Sequence, residues 1–296
     1  MRVRILGSSA GGGFPQWNCA CGGCRAAREG NPVVQVRTQS SVAVRGMEGG
    51  WFLVNASPDV PHHLESLRPS AGGSVRSTPF RAILLTDAEI DHSAGLLLVR
   101  ESSVPVVVYS TAAVHATLMH DYPVMRMLES YCGVEWLPLE AGQVIGLPGS
   151  SLEVEAFDAG GGPPRYAPSN STCAPIGLTF RDRGAGALVC VPALARVDED
   201  IIGHLETAEC ALVDGTFWSD DELSALGAGA RSARMMGHLP LVDEDGALSL
   251  HARLSSRTVL IHVNNTNPIL LDGSPERALL SARGVEIAFD GMEIDL

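Results

Sequence analysis

The segment Thr86-Asp87-Ala88-Glu89-Ile90-Asp91-His92-Ser93 places Asp87, Glu89 and Asp91 in alternate positions, with His92 directly after them. Oxygen donors joined by an imidazole nitrogen suit a divalent first-row metal, provided a rigid element fixes their geometry. The preceding run Ala82-Ile83-Leu84-Leu85 is apolar throughout, as in a strand buried on both faces, so the acids stand at a strand tip and at the start of a helix. Taken alone, the same residues also fit an acidic turn in which Asp or Ser caps the helix. A second constellation is Cys19-Ala20-Cys21-Gly22-Gly23-Cys24. Three thiolates at this spacing can fold around one ion, the two glycines permit the tight turn, and structural zinc wants four such ligands in a closed tetrahedron. Cys19, Cys21 and Cys24 are therefore read as structural zinc ligands within a loop at about residues 14–28, with the fourth ligand outside the local sequence. Packed structural thiols are the alternative.

The elements that must position these groups can be traced along the chain. Val3 to Leu6 is a short strand running into Gly7-Ser8-Ser9-Ala10-Gly11-Gly12-Gly13, where the backbone can turn sharply or approach a ligand. A phosphate loop is excluded, because no Gly-Lys-Ser/Thr follows and Phe14-Pro15-Gln16-Trp17 does not open a helix. Ser40 to Val44 and Trp51 to Asn55 suggest a hairpin across Gly46-Met47-Glu48-Gly49-Gly50. Further strands are expected at 82–85, 104–109, 152–157, 176–180, 187–191, 210–214, 258–263 and 285–288, with helices at 61–67, 93–99, 112–122, 198–204, 220–226, 247–254 and 274–282. Early hairpins followed by alternating strands and helices are compatible with two stacked sheets and helices outside, in a single domain spanning 1–296.

Composition narrows the function classes. With 45% hydrophobic and 19% charged residues the chain is globular rather than disordered. A net charge of −13 without a local basic cluster argues against nucleic acid as a partner. No apolar window approaches the length of a membrane span, and the N-terminus lacks the apolar stretch of a signal peptide, so a cytoplasmic location without membrane contact is expected. Seven cysteines, three of them in the clip, fit a metal loop plus scattered thiols better than a disulfide framework.

The segment Asp87 to Leu96 resembles the metallo-β-lactamase signature His-x-His-x-Asp-His, with Asp87 and Glu89 where its first two histidines stand and with Asp91 and His92 kept. The resemblance implies that fold, a four-layer αββα sandwich of two mixed β-sheets flanked by helices. It also implies two later ligands at strand ends. Asp214, at the tip of Cys210-Ala211-Leu212-Val213, matches the bridging aspartate, and His262, in Thr258-Val259-Leu260-Ile261-His262, matches the last histidine. Each read singly is a strand-end cap or a core histidine. A tri-histidine site cannot form, since Ser169-Asn170-Ser171 occupies its third position. One active-site metal held by Asp91, His92, Asp214 and His262 is thus expected, with open positions and a preference less zinc-like than a tri-histidine cage. His238, in Met236-Gly237-His238-Leu239-Pro240, is expected to carry protons beside the metal, and Asp87 and Glu89 to orient substrate or water. A related branch, the phosphodiesterases of phosphonate metabolism, draws the fourth ligand of its cysteine site from a histidine at the position of Asn265, which makes Asn265 a candidate fourth ligand here.

More specifically, Phe14-Pro15-Gln16-Trp17-Asn18-Cys19 through Arg25, Arg37-Thr38-Gln39-Ser40-Ser41, Asn55-Ala56-Ser57-Pro58-Asp59, Thr86 to His92, Met236-Gly237-His238 and Ile261 to Pro268 resemble the pyrroloquinoline quinone (PQQ) biosynthesis protein B family over nearly the whole chain. That resemblance implies an iron- and oxygen-dependent hydroxylation of the tyrosine-derived ring of a Glu–Tyr precursor, with Fe(II) as the active-site metal, zinc as its alternative, and other PQQ pathway proteins as partners. A metal-dependent hydrolase, and a carrier aiding transport of PQQ or its precursor, are the competing expectations.

Overall fold

A computed structural model describes residues 1–68, 76–183, 186–244, 246–251, 254 and 256–296. Its strands, in chain order, are β1 (Arg2–Gly7), β2 (Ser41–Arg45), β3 (Trp51–Val54), β4 (Phe80–Leu84), β5 (Val106–Ser110), β6 (Val134–Pro138), β7 (Val144–Gly146), β8 (Leu152–Asp158), β9 (Ile176–Asp182), β10 (Ala187–Val191), β11 (Cys210–Asp214), β12 (Arg257–Ile261), β13 (Glu286–Ile287) and β14 (Glu293–Asp295). They form two seven-stranded sheets, ordered β14-β1-β2-β3-β4-β5-β6 and β13-β12-β11-β10-β9-β8-β7. Both are mixed: β3 to β6 and β10 to β13 pair in parallel, and the other neighbours pair antiparallel.

Alternation of side chains builds the layers. On β4, Ala82 and Leu84 face the other sheet while Ile83 faces the helices; on β11, Cys210 and Leu212 face inward while Ala211 and Val213 pack outward. Three apolar clusters result: one between the sheets, and one between each sheet and its helices. Val60–Leu67, Ala112–His120 and Val124–Glu129 cover the first sheet, and Glu199–Glu206 and Pro275–Ala282 the second. This is the metallo-β-lactamase sandwich expected from the sequence.

Several elements differ from the expectation. Gly22–Arg28 and Val124–Glu129 are helices, and β6, β7 and β14 are strands, that the hydrophobic pattern did not announce. The helix expected at 93–99 divides into a short α-helix, Ile90–Ser93, and a 3-10 helix, Ala94–Val99. Gly95 makes that passage possible: a Cβ there would sit 2.3 Å from the Ser57 carbonyl oxygen and 2.6 Å from that of Ala56. The helix expected at 247–254 is seen over Ala247–His251, and residues 252 and 253 lie outside the described residues.

Candidate metal centre

The carboxyl ends of parallel strands are where open α/β sheets gather ligands, and here both sheets deliver side chains to one such place. From the first sheet, β4 ends at Leu84, and the chain passes through Thr86 and Asp87 into the helix carrying Asp91 and His92. Asn55, just past β3 with φ 63°, clamps this passage: Thr86 N donates to Asn55 Oδ1 and Asn55 Nδ2 to Thr86 Oγ1, each at 2.9 Å. Thr86 Oγ1 donates to Asp87 Oδ2 at 2.8 Å, Glu89 N donates to Asp87 Oδ1 at 2.9 Å, and His92 Nδ1 lies 2.7 Å from Asp87 Oδ2. A proton on His92 Nδ1 satisfies that contact and leaves Nε2 as the ring's donor atom. Nε2 is buried and has no hydrogen-bond partner among the described residues.

From the second sheet, β11 ends on Asp214 and β12 stops one residue before His262. Alternation after the inward Ile261 would turn His262 toward the helices, but its φ of 61° breaks the extended run and frees its side chain from that parity. Thr216 joins the two ends. Its Oγ1 donates to Asp214 Oδ1 at 2.6 Å and accepts from His262 Nδ1 at 2.8 Å, which leaves His262 Nε2 3.2 Å from Asp91 Oδ2. Asp214 Oδ2 accepts from Leu194 N at 2.9 Å and from His238 Nδ1 at 2.7 Å.

The donors fall into two overlapping triads, Asp91–His92–His262 and Asp214–His238–His262, each with its donor atoms within 4.8 Å of one another. The expected quartet therefore comes together around the shared His262, not as one closed group. Two placements bear on the expected roles. His238, expected to carry protons beside the metal, stands in the second triad with its ring on Asp214. Asp87, expected to orient substrate or water, is buried and spends its oxygens on His92, Thr86 and Glu89. Glu89 lines the cavity above the cluster.

Charge sets the protonation states. Burial alone would raise Asp91, but the charge of His92 and then the neighbouring His262 hold it below the usual carboxylate range. His92 is pushed up to about 9: burial acts against this, and the charges of Asp87 and Asp91 prevail. Burial, and then the charges of Asp87 and Asp91, raise Glu89 to about 7. Carboxylates and imidazoles converging around an orphaned His92 Nε2 fit a divalent cation, which would offset the accumulated negative charge. Gly11 borders this donor set so closely that a Cβ there would stand 3.0 Å from Asp91 Oδ2.

Cys19, Cys21 and Cys24 form a separate cluster, their sulfurs within 4.8 Å of one another. The amide of Asn265 donates to Cys24 Sγ at 3.3 Å, and the Cys21 thiol donates to the Asn265 backbone carbonyl at 3.6 Å. Asn265 thus touches the clip through two hydrogen bonds, one from its side-chain amide and one to its backbone carbonyl. Burial, followed by the neighbouring cysteines, pushes the Cys21 thiol up to about 11, a state that coordination of a cation would reverse.

Comparison with known proteins gives the arrangement a family. Residues 50–263 match the family described as the beta-lactamase superfamily domain. The chain is 44% identical over 308 aligned positions to coenzyme PQQ synthesis protein B of Azoarcus sp. (strain BH72), covering 100% of both, and 41% identical over 312 to that of Nitrosococcus oceani, again covering 100% of both. The chain belongs to the coenzyme PQQ synthesis protein B family. The crystal structure of Zn(2+)-bound PqqB from Methylobacterium extorquens is 35% identical and superposes with a TM-score of 0.90 over 100% of each chain. A diphosphatase of the PhnP family, 17% identical with a TM-score of 0.70, shares the fold.

In this member of the PQQ synthesis protein B family, the segments that carried the resemblance without an evident chemical role prove to be scaffolding. Asp59 accepts from Gln39 N and Gln39 Nε2 at 2.9 and 3.1 Å, and Gln39 Oε1 accepts from Gly12 N at 3.0 Å, which fixes the glycine loop beside Asp91. Asp290 accepts from Ser8 Oγ and Thr38 N at 2.8 and 2.6 Å. Asn55 and Thr86 lie in segments that carried the resemblance, but their clamping role is not announced by residue type, and Thr216 and Asp290 carry no distinguishing sequence signal. No helix among the described residues is long and apolar enough to cross a membrane.

Proposed function

We propose that the protein is a metal-dependent enzyme of PQQ synthesis that hydroxylates the tyrosine-derived ring of a Glu–Tyr precursor, using Fe(II) and dioxygen in the cytoplasm alongside other proteins of the pathway. The observation that carries this reading is the donor set: Asp87 and Glu89 replace the histidines of a hydrolytic tri-histidine site, while Asp91, His92, Asp214 and His262 still converge, with His238 among them. Asp91, His92, Asp214 and His262 would hold the iron with positions left open, and the ion would supply the one-electron chemistry that dioxygen reduction needs. Overall, one ring C–H becomes C–OH, the second oxygen atom leaves as water, and an external reductant contributes two electrons. The chain's own residues bind and move protons. Asp87 fixes the tautomer and direction of His92, and Thr216 does the same for His262. His238, its Nδ1–H on Asp214 and its pKa raised by that carboxylate against the opposing effect of burial, holds a proton for delivery beside the reacting oxygen.

Metal content and oxygen uptake on the Glu–Tyr precursor, measured side by side for two variants, test the reading. His262→Ala should lose metal and turnover together. His238→Ala should keep metal at His92 and Asp91 and slow the reaction by roughly 10²–10⁴-fold. Equal turnover without oxygen would replace hydroxylation with hydrolysis, and pathway output that survives loss of His92 would replace catalysis with carriage.

A further inference from the structure

Above the donor cluster opens a cavity of about 600 Å³ whose floor carries Asp87, Glu89, Asp91 and the three histidines and whose wall includes Arg165, Arg231 and Arg234. Arg234 is committed to Asp243, with Nη2 to Oδ2 2.8 Å. The other two have no acidic partner among the described residues: Arg231, half-buried, gives one N–H to the Met235 carbonyl at 2.7 Å, and Arg165 is exposed without a hydrogen bond or ion pair. This is an unexpected place for unpaired guanidiniums. The chain has 34 acidic against 21 basic residues, and several of those acids lie on the floor of the same cavity.

Both arginines ride on segments tied to the metal floor. Arg165 is followed by Tyr166, whose hydroxyl donates to the Ala88 carbonyl between Asp87 and Glu89. Arg231 lies on the segment that leads to His238, and that segment is held by Ala233 N donating to the Asp220 carbonyl at 3.0 Å and by His238 N donating to the Ala233 carbonyl at 3.1 Å. Two forks for planar anions thus line one cavity on separate segments, one next to the Tyr166 that bonds Ala88 and one on the segment that leads to His238. A ligand entering with carboxylates would otherwise meet the repulsion of Glu89 and Asp91; guanidiniums bind carboxylates bidentately and offset that field at the mouth.

We propose that Arg165 and Arg231 form a carboxylate clamp that selects a substrate bearing at least two carboxylates and directs its uncharged ring toward the metal floor. The clamp rests on the proposed Glu–Tyr chemistry for the identity of the ring, and on the cavity alone for its preference for carboxylates.

The test is a binding titration of the zinc-loaded full chain with L-glutamyl-L-tyrosine and with its dimethyl ester, which lacks both carboxylate charges. The parent should bind the diacid, Arg165→Ala and Arg231→Ala should each weaken that binding about 10-fold and the double variant about 100-fold. The diester should bind parent and double variant alike. Unaltered melting curves will show that these loop variants fold. Failure of the parent to bind the diacid, equal affinity for the diacid in all variants, or parent affinity for the diester as high as for the diacid each overturns the clamp. Because no turnover is read, an intact clamp with no oxygen-dependent reaction would condemn only the hydroxylase reading.

Discussion

The strand-end cluster and the cysteine clip both gather metal-ligating side chains, yet they differ in what holds the donors. In the cluster, His92 is held by Asp87, His262 by Thr216, and Asp214 by Thr216, Leu194 and His238, all through contacts of 2.6–2.9 Å. Those supports belong to strands and to the loops leaving them. In the clip, the sulfurs rest on one another's backbone, with Cys21 N and Cys24 N donating at 3.4 Å to Cys19 and Cys21, and, among the described residues, on Asn265 from outside. The cluster is a preorganised site whose geometry the protein supplies. The clip joins a loop to the first turn of the Gly22–Arg28 helix and has fewer outside supports, as expected of a site that an ion completes.

The largest effect is expected where the ion does the organising. Cys21→Ser should remove one zinc per chain and lower stability by several kcal/mol, less than the roughly 10 kcal/mol of small zinc modules because a full sandwich remains. Metal analysis with thermal denaturation checks this, and unchanged zinc content would erase the contrast between the two sites. Thr216→Val should be milder. It removes the shared support of Asp214 and His262 without touching a donor, so affinity at the strand-end cluster should fall by about 10–100-fold, as for other lost supports of metal ligands; a competition titration with a chromogenic chelator reads it.

The smallest effect concerns the seam between the two sites. Glu222 is buried and holds Thr266, in the loop that carries both His262 and Asn265, at 2.5 Å, and it accepts from Trp218 N at 2.7 Å. Burial, only partly opposed by the bond from Thr266, pushes its carboxyl up to about 7. An acid whose folded pKa lies above its unfolded one costs nothing below the unfolded value and costs increasingly as pH rises toward the folded one. Glu222→Gln lacks this cost. Its stability relative to the parent should rise by about 1–2 kcal/mol between about pH 5 and pH 8. Denaturant melts at the two pH values test it, and parallel behaviour would show that Glu222 is ionised without penalty.

Sequence patterns exposed the central strands and the edge strand β13 but hid the edges β6, β7 and β14, for a physical reason. β4, β11 and β12 are nearly continuous buried runs, whereas β6 and β7 alternate between half-buried and exposed positions and carry too little apolar signal to stand out. The same logic applies to the site. Asp214 and His262 end or follow apolar strands, and Asp91 and His92 follow β4, so their convergence is written in the chain. What is not written is which neighbour a polar group chooses. Asp87 turns to a histidine five residues on, and His238 reaches an aspartate 24 residues back, because of loop geometry that no periodicity encodes. Arg165 sits in the Gly- and Pro-rich stretch after β8, where a guanidinium at a cavity wall looks like any surface arginine.

Asp91 and His92 follow β4 of the first sheet, while Asp214 ends β11 and His262 follows β12 of the second, with the inter-sheet core between those strands. An ion shared across that division would be a crosslink as well as a cofactor. Its binding free energy adds to the cohesion of the two halves by mass action, so the stability of the whole sandwich becomes a function of free metal concentration. A cell that starves this protein of metal would loosen its architecture at the same moment that it silenced its chemistry, and turnover of the idle chain would follow from the same equilibrium.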